Sequence, residues 1–151
     1  MSLGSSTEPG RFVGPPTRSD VAWVPQGAHL LPERSVIDNV MMGRLSDGST
    51  LYEAFRSSEH ALHQVGLEDL AKARASTLSG GEIQRVALAR AISSDRPILI
   101  ADEPTASLDR QSAAVVAQVL AQLVLTKIVL IATHDAAIVE VCDDVLNLGG
   151  A

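Results

Sequence analysis

Asp102 and Glu103 stand side by side at the end of an apolar run, Ile98, Leu99, Ile100 and Ala101. Two carboxylates where a buried strand leaves its sheet can divide the work of phosphoryl transfer to water. The first holds Mg²⁺, and the second orients or deprotonates the attacking water. Adjacent acids also suit a solvated turn. The context here favours chemistry, because Pro104 follows at once and Ser107, Leu108 and Asp109 lie just beyond. A second segment runs Leu78, Ser79, Gly80, Gly81, Glu82, Ile83, Gln84, Arg85. Ser79 reads as the cap of a helix whose free N–H groups and dipole favour a phosphate, and the two glycines let it approach without a Cβ in the way. His134 follows Thr133 after a second apolar run, on the rim expected for Glu103. Its imidazole there could bond a terminal phosphate and sense its loss, although a lone histidine more often caps or lies in solvent. Gln26 follows Pro25 after a short apolar run and could bond Mg²⁺ or water, or be a plain loop glutamine.

Other candidates carry less. His60 and His63 are spaced i, i+3 and read as a solvated helix face, since a zinc site needs three or four protein ligands. Cys142 has no obvious base nearby in sequence and reads as buried packing. A phosphate-cradling G-x-x-x-x-G-K-[ST] loop is absent: the two lysines are Lys72 and Lys127, and neither follows a glycine. Parts of a nucleotide hydrolase are present without the piece that grips the nucleotide.

These residues need a scaffold. Residues 1–7 are Ser/Gly-rich and resemble a tag or ragged end, and 10–20 read as loop. A strand over 21–24 stops at Pro25. Ser35 caps a predicted helix over 36–42, Asp47 and Gly48 make a turn, and helical spacing covers 50–65 with Gly66 as the stop. A short helix over 68–75 completes an all-helical insert, 36–77. The helix from Ser79 runs to about Ser94. Continuous apolar runs at 98–101 and 128–132 suit parallel strands buried on both faces, with helices over 110–125 and 136–141 and a last strand near 145–148. Strand alternating with helix predicts an α/β sheet with right-handed crossovers.

The chain has 151 residues, 46% of them apolar and 20% charged, which suits one globular domain. Aromatics are only 3%, so Leu, Val, Ile and Ala must build the core. Twelve basic against eighteen acidic residues give −6, which supports neither broad nucleic-acid binding nor attraction to an anionic membrane. Cys142 is alone, so no internal disulfide can form, and a reducing compartment fits. The longest apolar stretches are interrupted by Gln118, Gln122 and Lys127, short of the ~18 residues a span needs. Any membrane role is expected to come through a partner.

In order, these residues resemble the motifs of the ATP-binding cassette (ABC) ATPases over about 20–148. Val24, Pro25 and Gln26 look like the Q-loop, and Leu78 to Glu82 like the signature. Residues 98–103 look like Walker B, Ser107 to Asp109 like the D-loop, and Thr133 and His134 like the switch histidine. Residues 31–40 and 101–109 look like the lipoprotein-releasing and macrolide-export subfamily.

The resemblance implies a P-loop NTPase (RecA-like) parallel sheet core with an all-helical signature subdomain. The core takes 21–35 and 95–151, the subdomain 36–94, and 1–20 stands outside both. Asp102 would hold Mg²⁺, with Gln26 also reaching the metal and coupling the nucleotide to a transport subunit. Glu103 would be the catalytic carboxylate and His134 would contact the γ-phosphate of ATP. Ser79, Gly80, Gly81 and Glu82 would act on ATP held by a second cassette in a head-to-tail dimer, with Asp109 at that interface. The insert would face transmembrane permease subunits, which places the chain in the cytoplasm, peripheral on the inner face of the cell membrane.

The departure is the phosphate loop, together with the first strand and base-stacking aromatic that precede it in the family. The resemblance therefore implies a partial cassette, inactive alone, whose parent is an ABC transporter ATPase. Two alternatives stay open: a degenerate cassette that gives only its signature to a partner subunit, and a non-transport ABC protein.

Overall fold

The computed structural model describes residues 15–106 and 108–147. The expectations placed on residues 1–14, Ser107 and Leu148 lie outside them. Three strands form one parallel sheet in the order β1 (Val21–Val24), β2 (Ile98–Asp102), β3 (Ile128–Ala132). The register pairs Val24 with Ala101 and Asp102 with Ala132, so all three strands leave the sheet at the same rim. Between β1 and β2 the chain inserts α1 (Val36–Leu45), α2 (Leu51–Gln64) and α3 (Gly80–Ser93). Then α4 (Arg110–Leu123) crosses from β2 to β3, and the short α5 (Ala136–Val139) follows. The α/β class, a parallel sheet with helices, matches expectation.

Local chemistry sets the helix ends. Ser35 accepts from Asp38 N–H at the start of α1. Thr50 and Glu53 close a reciprocal capping box at α2, as Ser79 and Glu82 do at α3. After α2, Gly66 takes φ +66°, a left-handed stop that costs a residue without Cβ little. The helix expected over 68–75 is instead two single 3₁₀ turns, Glu68–Leu70 and Ala75–Thr77, and the antiparallel bridge from Ser35 to Arg74 ties the segment down. Its backbone bonds back to 32–37, as in Val36 N–H to Ala73 C=O and Ala75 N–H to Arg34 C=O, and those partners replace helical ones.

The core lies between one sheet face and the helices. Ala22, Val24, Leu99 and Ala101 point into it and meet Val86, Leu88, Val116 and Leu120, all fully or nearly buried. The expectation that β2 and β3 are buried on both faces is corrected for β3. Trp23, Ile100 and Leu130 form a row across the opposite face, where Trp23 is 63% and Leu130 54% exposed. Among the described residues nothing covers that face or pairs the outer edge of β3. The last strand expected from Val145 is not formed over 145–147, which lie exposed without regular structure. A strand needs a neighbour for its ladder, and among the described residues β3 pairs only with β2.

The insert is bound to the core at the opposite end of the sheet. Arg96 donates to Asp47 Oδ1 at 2.9 Å and to the Val21 carbonyl at 2.8 Å, while Asp47 Oδ2 accepts from Asp95 N–H. Lys127 donates to the carbonyls of Ser94 and Arg96, and its burial pushes the ammonium pKa down.

Candidate functional site

At the carboxyl rim the loops after β2 and β3 meet. His134 Nδ1 lies 2.7 Å from Glu103 Oε1, and Thr133 Oγ1 donates to Glu103 Oε2 at 3.3 Å. Glu103 has φ +45°, a left-handed conformation unusual for a residue with a side chain, held by its N–H bond to the Ala132 carbonyl at 2.8 Å. That turn swings the carboxylate away from the line of β2 and towards the end of β3. The hydrogen bond to Glu103, and then its charge, raise the His134 pKa above the ordinary imidazole value. The imidazole is 87% exposed, whereas the Glu103 side chain is only 21% exposed. The acid is sheltered, while the histidine stands in reach of a ligand.

Asp102 is half-buried at the end of β2 and Gln26 is exposed two residues beyond Val24. Parallel register brings both to this rim. Among the described residues neither side chain makes a hydrogen bond or ion pair, so the Asp102 carboxylate and the Gln26 amide oxygen are free. Oxygen donors of this kind suit Mg²⁺.

The glycine-opened helix forms a second group. Ser79 Oγ accepts from Glu82 N–H, while Glu82 Oε2 accepts from Ser79 N–H at 2.8 Å and from Ser79 O–H at 2.9 Å. These bonds, the backbone one first, lower the Glu82 pKa. Glu82 thus serves as the return half of a cap. Gly80 has open space where a Cβ would be. At Gly81 a Cβ would touch Leu108 Cδ2 at 3.4 Å and come near Ser112 Oγ and Asp109 Oδ2. Asp109 caps α4 through Gln111 N–H and Ser112 N–H and accepts from Ser112 O–H at 2.7 Å, the bond that most lowers its pKa. Ser79 to Glu82 and Asp109 therefore share one surface. Among the described residues no hydrogen bond links that surface directly to Glu103 or His134.

The family model of the ABC transporters matches residues 10–106, well over half of the chain. The chain belongs to the ABC transporter family. The lipoprotein-releasing system ATP-binding protein LolD of Anaplasma marginale is 43% identical over 137 residues, covering 88% of this chain and 60% of that protein. LolD of Nitrobacter winogradskyi is 41% identical over 87% of this chain and 57% of its own length. The phosphonates import ATP-binding protein PhnC of Stutzerimonas stutzeri is 43% identical over 70% of this chain and 41% of its own length. Among solved structures, the ATP-binding cassette MJ0796, dimeric and bound to ADP and Pi, superposes with a TM-score of 0.73 at 30% identity, covering 80% of this chain and 55% of its own. The chain thus spans about three fifths of the length of its LolD relatives, and its parallel sheet with helices is part of a cassette.

The remaining candidates behave plainly. His60 and His63 are exposed, and the described residues hold no cluster of metal-ligating side chains. Cys142 is half-buried with its thiol donating to the Ile138 carbonyl. The sequence alone assigns no role to Thr105, Thr133 or Asp135. Thr133 and Asp135 flank His134, and that adjacency was the available signal; for Thr105 there was none, because its partner lies thirty residues away.

Proposed function

We propose that this chain carries the hydrolytic part of an ATP-binding cassette that powers an ABC transporter of the lipoprotein-releasing kind. The observation that carries the reading is the 2.7 Å contact of His134 with Glu103 at the carboxyl rim of a parallel sheet. Glu103 is the group that takes a proton from the attacking water, and its sheltered, turned-out carboxylate is aimed for that. His134 orients Glu103 and bonds the terminal phosphate through its exposed face. Asp102 and Gln26 would hold Mg²⁺, which would supply charge neutralisation at the phosphates.

Gly80 and Gly81 present free N–H groups, and Ser79 the start of the same helix, to the phosphates of ATP on a second cassette, and Asp109 lines that head-to-tail interface. The insert and Gln26 meet transmembrane permease subunits, which keeps the protein peripheral on the cytoplasmic face of the membrane. The similarity to LolD supports the subfamily, and the dimer described for MJ0796 supports the second cassette. No helix among the described residues is long and apolar enough to cross a membrane, which fits a permease supplying the pathway.

The test is Glu103→Gln in the assembled transporter. Loss of the base should cut ATP turnover about 100-fold or more while ATP binding persists. A cassette that lends only its signature to a partner subunit is the second reading. Parent-level turnover in Glu103→Gln, with loss on Ser79→Arg, would favour it.

A further inference from the structure

The two rim loops are joined by a bond that the hydrolytic roles above do not use. Thr105 is 7% exposed, two residues past Glu103, and its Oγ1 donates to Asp135 Oδ2 at 2.7 Å. Asp135 immediately follows His134. Its other oxygen, Oδ1, accepts from Ala137 N–H at the start of α5, and its own N–H donates to Thr133 Oγ1 at 3.0 Å. Thr133 Oγ1 in turn donates to Glu103 Oε2. The bonds form a closed circuit: Glu103 to Thr133, Thr133 to Asp135, Asp135 to Thr105, and Thr105 back along the backbone to Glu103. His134 sits inside that circuit with its ring against Glu103.

We infer that Thr105 is a positioning residue, which acts through Asp135 to hold the His134 loop at the distance where the imidazole meets Glu103. Three observations carry this. His134 is 87% exposed, so packing does not hold the ring and the loop itself must. The strain at Glu103 needs surroundings that fix it, and bonds at Glu103 N–H, Ala106 N–H to the Glu103 carbonyl, and Thr105 Oγ1 supply them from both sides. Thr105 is also a buried hydroxyl whose side-chain bond to Asp135 crosses to the other loop, which a group serving only its own turn would not do. The same segment reaches the glycine-opened helix, because Leu108 N–H bonds the Thr105 carbonyl and Leu108 lies against Gly81. The inference rests on the reading of Glu103 and His134 as working partners.

The experiment is ¹⁵N NMR of the imidazole nitrogens of the 151-residue chain at a single pH. His29, His60 and His63 serve as internal references. Thr105→Val removes the donor at nearly constant volume. It should move the His134 Nδ1 signal most of the way to its position in Glu103→Gln, with the other three histidines unmoved, and Thr105→Ser should restore the parent position. If Glu103→Gln moves the signal and Thr105→Val does not, the positioning role is wrong while the Glu103–His134 pair stands. If neither moves it, the pair itself is absent in solution and both readings fall. Should Thr105→Val unfold the chain, collapsing all four signals together, Thr105→Ala is scored by the same criteria.

Discussion

Gly43→Ala is the sharpest test of how the glycine-opened helix is placed. In most helix interiors this change stabilises by up to about 1 kcal/mol, because glycine loses more backbone freedom on folding. Here the sign should reverse. A Cβ on Gly43 would clash with the Arg90 carbonyl oxygen and lie 3.1 Å from Ser93 Oγ, so α1 and α3 must move apart to reach ordinary contact. That separation weakens the bond from Ser93 O–H to the Val40 carbonyl, now 3.2 Å, a loss of about 1 kcal/mol. It also loosens packing around Val40 and Leu88, both essentially fully buried, at about 1–3 kcal/mol for overpacking strain. Less the propensity gain, the net is a destabilisation of about 1–3 kcal/mol, large against the ~5–15 of a typical domain. Urea unfolding should show the midpoint falling by about 1 M at unchanged slope. Gly80→Ala, where no atom lies within 4 Å of a Cβ, should move it little. A Gly43→Ala midpoint equal to or above the parent would refute the close helix approach, and with it the placement of Ser79 to Gly81 at the head of α3.

Two further outcomes follow from the site. The chain alone, lacking a phosphate loop, should bind Mg-ATP negligibly; calorimetric titration with micromolar affinity would contradict this. The raised pKa of His134 means that its protonated form is favoured in the folded state beside Glu103. Any stability it adds is fully present below about pH 6.5, the ordinary imidazole range, and fades as pH rises through the higher folded midpoint. An NMR titration should place the His134 midpoint above about 6.5, and Glu103→Gln should return it towards that value.

Much was legible in the residues because the signals are local. Ser35 and Ser79 mark helix starts because a capping oxygen bonds an N–H group three residues on, and Gly66 marks a stop because only local backbone sterics are involved. The order of Gln26, Ser79 to Glu82, Asp102, Glu103, Asp109 and His134 pointed to the ABC family. The segment 68–75 read as helix because its composition permits one, yet its backbone partners came from 32–37. The run 128–132 read as doubly buried because apolarity records what a strand tolerates rather than what lies on it.

By itself, then, the sequence determined most of the helix and strand segments, the caps at Ser35 and Ser79, and which side chains could do phosphate chemistry, since each depends on neighbours a few bonds away. Only the tertiary structure decided that Glu103 turns out of its strand to meet His134, that Thr105 ties to Asp135, and that Leu130 and Trp23 share an uncovered face. Those facts depend on the register of strands far apart in the chain, and register is settled by packing and ladder pairing that no short stretch of residues encodes.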